Sequence, residues 1–209
     1  MSENSNDFNP SIREKILNEA AANETFPAAK PILNAHAHTF YSFNYKGYSP
    51  TTFALEAKRA GLEIGGIVDF DVLDGLEEFW TASRRLDLKG CIGLESRVFV
   101  PEFSERVINS PGEPGISYHM GIGFTTTAIP EEAQKFLDSM RHTSETRNRA
   151  MADRVNAYLD PLVLDYEKDV APLAPKGNAP ERHLCLAYAL KAAAQYPEEA
   201  ALRTCWGEK

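Results

Sequence analysis

A chain of 209 residues has room for one domain with a substantial core, or for one domain with a helical annex. Acidic residues outnumber basic ones 30 to 22, a net charge of −8, which argues against a dedicated nucleic-acid binder or a membrane-surface protein. A small anionic substrate stays open, because a bound metal or a local basic pocket outweighs the global field.

Residues 1–9 are rich in Ser, Asn and Asp and read as a disordered tail. Ser11 to Ala22 is predicted helical, with Ile12, Ile16 and Leu17 on one face. Ala29 to Ala35 reads as a buried strand running into His36-Ala37-His38. A polar, aromatic loop follows, and Ser49-Pro50 then opens a helix that ends near Gly61. Ile64 to Val68 is a second short strand, ending in Asp69-Phe70-Asp71. Leu73 to Leu86 is a helix with Leu76, Phe79 and Trp80 facing inward. Cys91 to Leu94 is a third strand, ending at Glu95. A loop rich in Pro, Gly and Ser spans 101–115, and Ile116 to Phe124 is a fourth strand containing His119. The alternation of strands and helices predicts parallel βαβ units. After Pro130 the composition turns helical: Glu131 to Leu159, Glu181 to Ala194 and Glu198 to Thr204. The expected organisation is a tail and helix over 1–28, a βα core over 29–128 and a helical segment over 129–209.

Cys91, Cys185 and Cys205 are far apart and form no Cys-x-x-Cys pair, so they read as free thiols of a reducing compartment, with Cys185 and Cys205 as small buried residues. No signal-peptide core and no membrane-length apolar run is present, so a cytoplasmic location is expected.

Side chains at i and i+2 of a strand share a face, so His36 and His38 present two imidazoles to one point. A neutral imidazole is the commonest protein metal ligand. In parallel α/β folds functional groups gather at the carboxyl ends of strands. Here four successive strands carry a candidate ligand there: His36 and His38, then Asp69 and Asp71, then Glu95, then His119. Each alone has a plain structural reading, as helix caps, an ion-pair partner of Arg97 or an ordinary histidine. Together they suit Zn, Mn or Fe.

The order of motifs resembles the polymerase and histidinol phosphatase (PHP) domain family. The residues that carry the likeness are His36-Ala37-His38-Thr39, Ser42, Val68-Asp69-Phe70-Asp71, Gly93-Leu94-Glu95 and His119-Met120-Gly121. Glu145 to Asn156 and Arg182-His183-Leu184 are similar to the family's helical insertion. The resemblance implies a partial, distorted (βα) barrel of parallel strands followed by a mainly helical C-terminal half. It implies divalent metal ions held by His36, His38, Glu95 and His119, with Asp69 and Asp71 as supporting or substitute ligands. It also implies hydrolysis of a phosphate ester by metal-activated water, with Arg147, Arg182 and His183 contacting a small phosphorylated substrate.

The sequence departs from the family at Phe70, where the family has a histidine ligand, and near Phe43 and Asn44, where it has another. The family's late ligands have no match, and a full barrel needs about 250 residues. A non-catalytic or impaired binding module therefore stands as an alternative, as does the front part of a longer protein, and the open sheet edge is expected to be covered by the helical second half or by another chain, as in a homo-oligomer. An amidohydrolase-type enzyme is a third reading. Tyr41 and Lys46, in the loop after the histidines, are further candidate substrate contacts.

Overall fold

The structure, a computed structural model, describes residues 4–42, 47–174, 179 and 181–207. Phe43, Asn44 and Lys46 lie outside the described residues. The chain divides into two compact units, Met1–Gln134 and Lys135–Lys209.

In the first unit, helix α1 (Pro10–Asn23) starts where the Asn9 side chain accepts from the Ser11 amide, with Pro10 in the first turn. Strand β1 is Lys30–Ala37. Helix α2 (Pro50–Arg59) has Ser49 as its cap, its Oγ accepting from Thr52 N at 2.9 Å. Lys58 and Arg59 sit at its carboxyl end, where the helix dipole favours positive charge. Gly61, at φ +74°, makes the left-handed turn that sends the chain into strand β2 (Leu62–Phe70). Helix α3 (Leu76–Arg85) and strand β3 (Lys89–Phe99) repeat the pattern. Strand β4 is Ile116–Ile122.

The four strands form one curled, half-barrel-like sheet in the order β1-β2-β3-β4. β1 with β2 and β2 with β3 are parallel, but β4 runs antiparallel to β3. The all-parallel expectation is thus corrected at the last strand. The segment from β3 to β4 holds only a 3-10 turn at Pro101–Phe103, and a parallel return needs a longer crossover, usually a helix.

Helices α2 and α3 cover one face of this sheet, and α1 packs against α2. Phe79, Leu55, Ile67 and Ile92 pack there with essentially no exposure. Burying one such side chain is worth about 1.5–3 kcal/mol. β1 is not the buried strand its apolar composition suggests. It is a sheet edge, with Ile32 51% and Leu33 64% exposed. Residues 4–9 are likewise ordered against the unit rather than a loose tail: Asn6 and Phe8 both make side-chain contacts with it.

The second unit contains most of helix α4 (Glu131–Leu159), then α5 (Glu181–Gln195) and α6 (Glu199–Gly207). A single π-helical turn, Tyr166–Val170, precedes α5. Leu159, Leu162, Val170, Leu184 and Tyr188 form its core. The Asn156 side chain bridges to the Leu164 backbone in both directions and accepts from Tyr188 Oη at 2.7 Å. Cys185 is exposed and Cys205 half-buried, so neither is the fully buried thiol expected. Among the described residues no helix is long and apolar enough to cross a membrane.

Candidate metal centre

At the carboxyl end of β1 the chain lifts His36 and His38 to one side of the sheet. The parallel register of β2 with β3 sets Glu95 beside Phe70, close to the same point. Glu95 Oε2 is 3.0 Å from His36 Nε2 and 3.3 Å from His38 Nε2, and the two nitrogens are 3.2 Å apart. These three donors are a group that could hold a metal ion. Donors at about 2.0–2.1 Å from a tetrahedral ion lie roughly 3.3 Å from one another, so the spacing fits a small divalent cation. The His36 side chain is 49% exposed, which leaves the cluster open to water, while His38 and Glu95 are largely buried.

Burial, and then the neighbouring His36, push the His38 pKa down to about 4. His38 is therefore neutral at pH 7, the form that donates a lone pair. The Val68 backbone hydrogen-bonds to the ring and Ser42 Oγ lies 3.3 Å from Nδ1. These contacts hold one side of the ring and leave Nε2 turned to the cluster, as an outer-shell partner of a metal ligand does. Phe70 stacks flat on His38, with centroids 5.0 Å apart and planes 4° apart, and Tyr118 meets Phe70 edge-on. The phenyl ring that stands where the family has a ligand is thus the wall that orients His38.

Asp69 and Asp71 do not join the three donors. Asp69, almost wholly buried, accepts from Thr39 N and from Thr39 Oγ1, each at 2.6 Å, and so pins the residue after His38. Burial raises its pKa to about 6, against the opposing pull of the Thr39 and Ser42 hydrogen bonds. Asp71 has left-handed backbone, φ +54°, and its amide donates to the Glu95 carbonyl at 2.9 Å. Its carboxylate accepts from Ser96 Oγ at 2.5 Å. Burial raises its pKa and that hydrogen bond opposes the rise.

His119 also stands apart from the three donors. It pairs with Ser96 across the β3–β4 ladder, whereas Met120 pairs with Glu95. Directly opposed residues share a face, so Met120 lies on the Glu95 side and His119 on the other. Tyr118 and Met120 are neighbours of the site that sequence reasoning missed. Their alternation with His119 was visible, but the strand direction and register that give it meaning were not. Arg97 pairs with Glu113, not with Glu95.

In the second unit Arg147 lies exposed on α4 and Arg182 exposed on α5. His183 is buried in the unit, and burial lowers its pKa. Arg149 pairs with Glu167 and lies over the Tyr166 ring, 4.4 Å from its centroid.

No protein-family model matches the chain, and no curated protein matches it. The fold is nevertheless shared with solved structures. One is a proposed metal-dependent phosphoesterase from Bifidobacterium adolescentis, with TM-score 0.61 and 18% identity over 85% of this chain. Another is an amidohydrolase from Chromobacterium violaceum, solved with bound sulfate and no metal, with TM-score 0.57 and 18% identity over 83% of this chain. The chain spans only 57% and 53% of the lengths of these two proteins.

Proposed function

We propose that this chain is a metal-dependent hydrolase module of the PHP type that acts on a phosphate ester. The convergence of His36 Nε2 and His38 Nε2, at the end of β1, with Glu95 Oε2, inside β3 and level with the end of β2, carries the reading. The shared fold with a proposed metal-dependent phosphoesterase supports it. A divalent cation in such a site supplies Lewis acidity toward a phosphoryl oxygen and acidifies water near neutral pH.

The chain's own residues do the positioning. Phe70, Ser42 and the Val68 backbone fix the His38 ring, and Asp69 fixes Thr39 beside it.

The test is metal analysis of protein purified without chelator, beside a screen of phosphate monoesters and diesters, amides and lactones. Stoichiometric Zn, Mn or Fe and metal-stimulated phosphate release, both lost in His38→Ala, are expected. Turnover of amides alone would move the chain to the amidohydrolase reading. Phe70 favours a second reading, a module that binds one metal without catalysis, and tight metal binding with no turnover of any ester would establish it.

A further inference from the structure

The N-terminal segment makes a set of contacts that its polar composition does not announce. The Asn6 side chain accepts from Ser49 N at 2.8 Å, and the Ser5 carbonyl accepts from Ser49 Oγ at 2.6 Å. Phe8 meets Phe40 edge-on, with centroids 5.2 Å apart. Phe40 stands just past the His38-Thr39 pair and Ser49 caps α2, so these contacts hold the residues that follow the candidate metal centre and the residue that opens α2. The Phe40 amide donates to the Tyr48 carbonyl at 2.8 Å, and the Ser42 amide to the Thr39 carbonyl at 2.8 Å.

Arg13 of α1 anchors the grip. It is 3% exposed, a rare state for an arginine without a full set of partners. Its Nε and Nη2 donate to the two oxygens of Glu78 at 2.8 and 2.5 Å, and its Nη1 donates to the Asp7 carbonyl at 2.6 Å. Its guanidinium carbon also lies 5.1 Å from the centre of the Phe40 ring. Glu78 accepts as well from Thr51 N and Thr51 Oγ1 at the start of α2. A two-pronged Arg–carboxylate pair fixes orientation as well as distance. One buried guanidinium thus ties together the N-terminal segment, the first ring of the histidine loop, α2 and α3.

From this geometry we infer that residues 4–13 are a latch that positions Phe40–Ser42, the segment directly after the His38-Thr39 pair, with Phe8 and Arg13 as positioning residues for the histidine pair. The inference rests on the metal-hydrolase reading only for its consequence at the metal. The latch itself is a property of the metal-free chain.

Phe8 is 53% exposed, so Phe8→Ala removes the prong on Phe40 without hollowing the core. Hydrogen exchange of the metal-free protein should show the Phe40 and Ser42 amides exchanging roughly fivefold faster in Phe8→Ala, the scale of one aromatic pair. The Ile67 and Ile92 amides of β2 and β3 should keep their wild-type rates. Phe8→Tyr, which keeps the ring, should restore protection. Zn²⁺ titrated into each variant should bind several-fold more weakly to Phe8→Ala and as in the wild type to Phe8→Tyr. Unchanged loop exchange, or equal acceleration at Ile67 and Ile92, would overturn the latch, and faster exchange with unchanged Zn²⁺ affinity would overturn Phe8 as a positioning residue for the histidine pair. Should the wild type take up no Zn²⁺, the metal reading fails, and the exchange comparison alone then decides the latch.

Discussion

Glu95→Gln separates a metal site from a polar cluster that only holds the fold together. Glu95 Oε2 is the point shared by both imidazoles, at 3.0 and 3.3 Å, and the residue is 6% exposed. Gln keeps the volume and an acceptor oxygen but removes the charge. In the metal-free protein, two imidazoles, one of them held neutral, compensate a buried carboxylate only in part. Removing that charge should leave stability within about 1 kcal/mol of wild type, or raise it. Metal binding should move the other way. Changing an outer-shell partner costs about 10–100-fold in affinity, and losing the anionic ligand itself should cost at least the upper end of that range. Wild-type protein at a Zn²⁺ concentration of 100 Kd gains about 2.7 kcal/mol. At roughly 3 °C per kcal/mol, that is a rise in Tm of about 8 °C for the transition of the first unit. Glu95→Gln should show almost none of this rise at the same Zn²⁺ concentration. Thermal denaturation with and without chelator, beside calorimetric Zn²⁺ titration, measures both quantities. A variant that loses more than about 1 kcal/mol without metal and binds Zn²⁺ like the wild type would refute the metal reading.

Other expectations follow from the same geometry. Phe79→Ala empties the middle of the helix-covered core, beside Phe53, and should cost about 3–5 kcal/mol by denaturant unfolding of the first unit. His183 is buried and its Nδ1 has no partner among the described residues, so its pKa is lowered in the folded chain. The unfolded chain then binds the proton more readily. The stability of the second unit should be at its full value above the unfolded pKa of 6.5 and fall as pH drops toward the folded value. The slope is at most about 1.4 kcal/mol per pH unit, and His183→Leu should flatten it. His119→Ala should leave Zn²⁺ affinity within about twofold of wild type, because the ring lies on the face away from Glu95.

Much of this architecture was written locally. Ser49-Pro50 marks the start of α2 through a hydroxyl that caps and a ring that suits the first turn, and both act within four residues. The charged stretch from Glu131 to Leu159 reads as one or two helices, and the structure makes it one, α4. The apolar runs place His36 and His38 at a strand end, as observed; Glu95, expected at the end of its strand, lies inside β3, and the structure still brings the three together. Features that depend on distant partners were not legible. An apolar run such as Ile32-Leu33 announces a strand, but nothing in it tells whether another strand lies beyond, and here none does among the described residues. The polar composition of residues 4–9 suggested disorder, because its order comes from Phe40, Ser49 and Arg13 rather than from its own propensity.

The clearest case is His119, because a strand's side-chain period of two makes a one-residue difference absolute. The motif order placed it among the ligands, and the antiparallel register turns it away and puts Met120 opposite Glu95 instead. Directly opposed residues have Cβ atoms about 4.5–5.5 Å apart, close enough for an imidazole at 120 to reach a cation shared with Glu95. Close approach already marks this part of the ladder: a Cβ on Gly93, two residues before Glu95, would come 2.3 Å from the Gly121 carbonyl. β4 therefore cannot ride over a side chain there, and the absence of one at 93 is what admits this register. Met120→His should add a fourth donor and tighten Zn²⁺ binding by roughly tenfold, the scale of a change in a metal's immediate surroundings. The same change made together with His119→Ala should bind as tightly, since His119 faces away from Glu95. If His119→Ala weakens binding while Met120→His does not strengthen it, then β4 lies one residue out of the register described, and His119 is the ligand its motif implies.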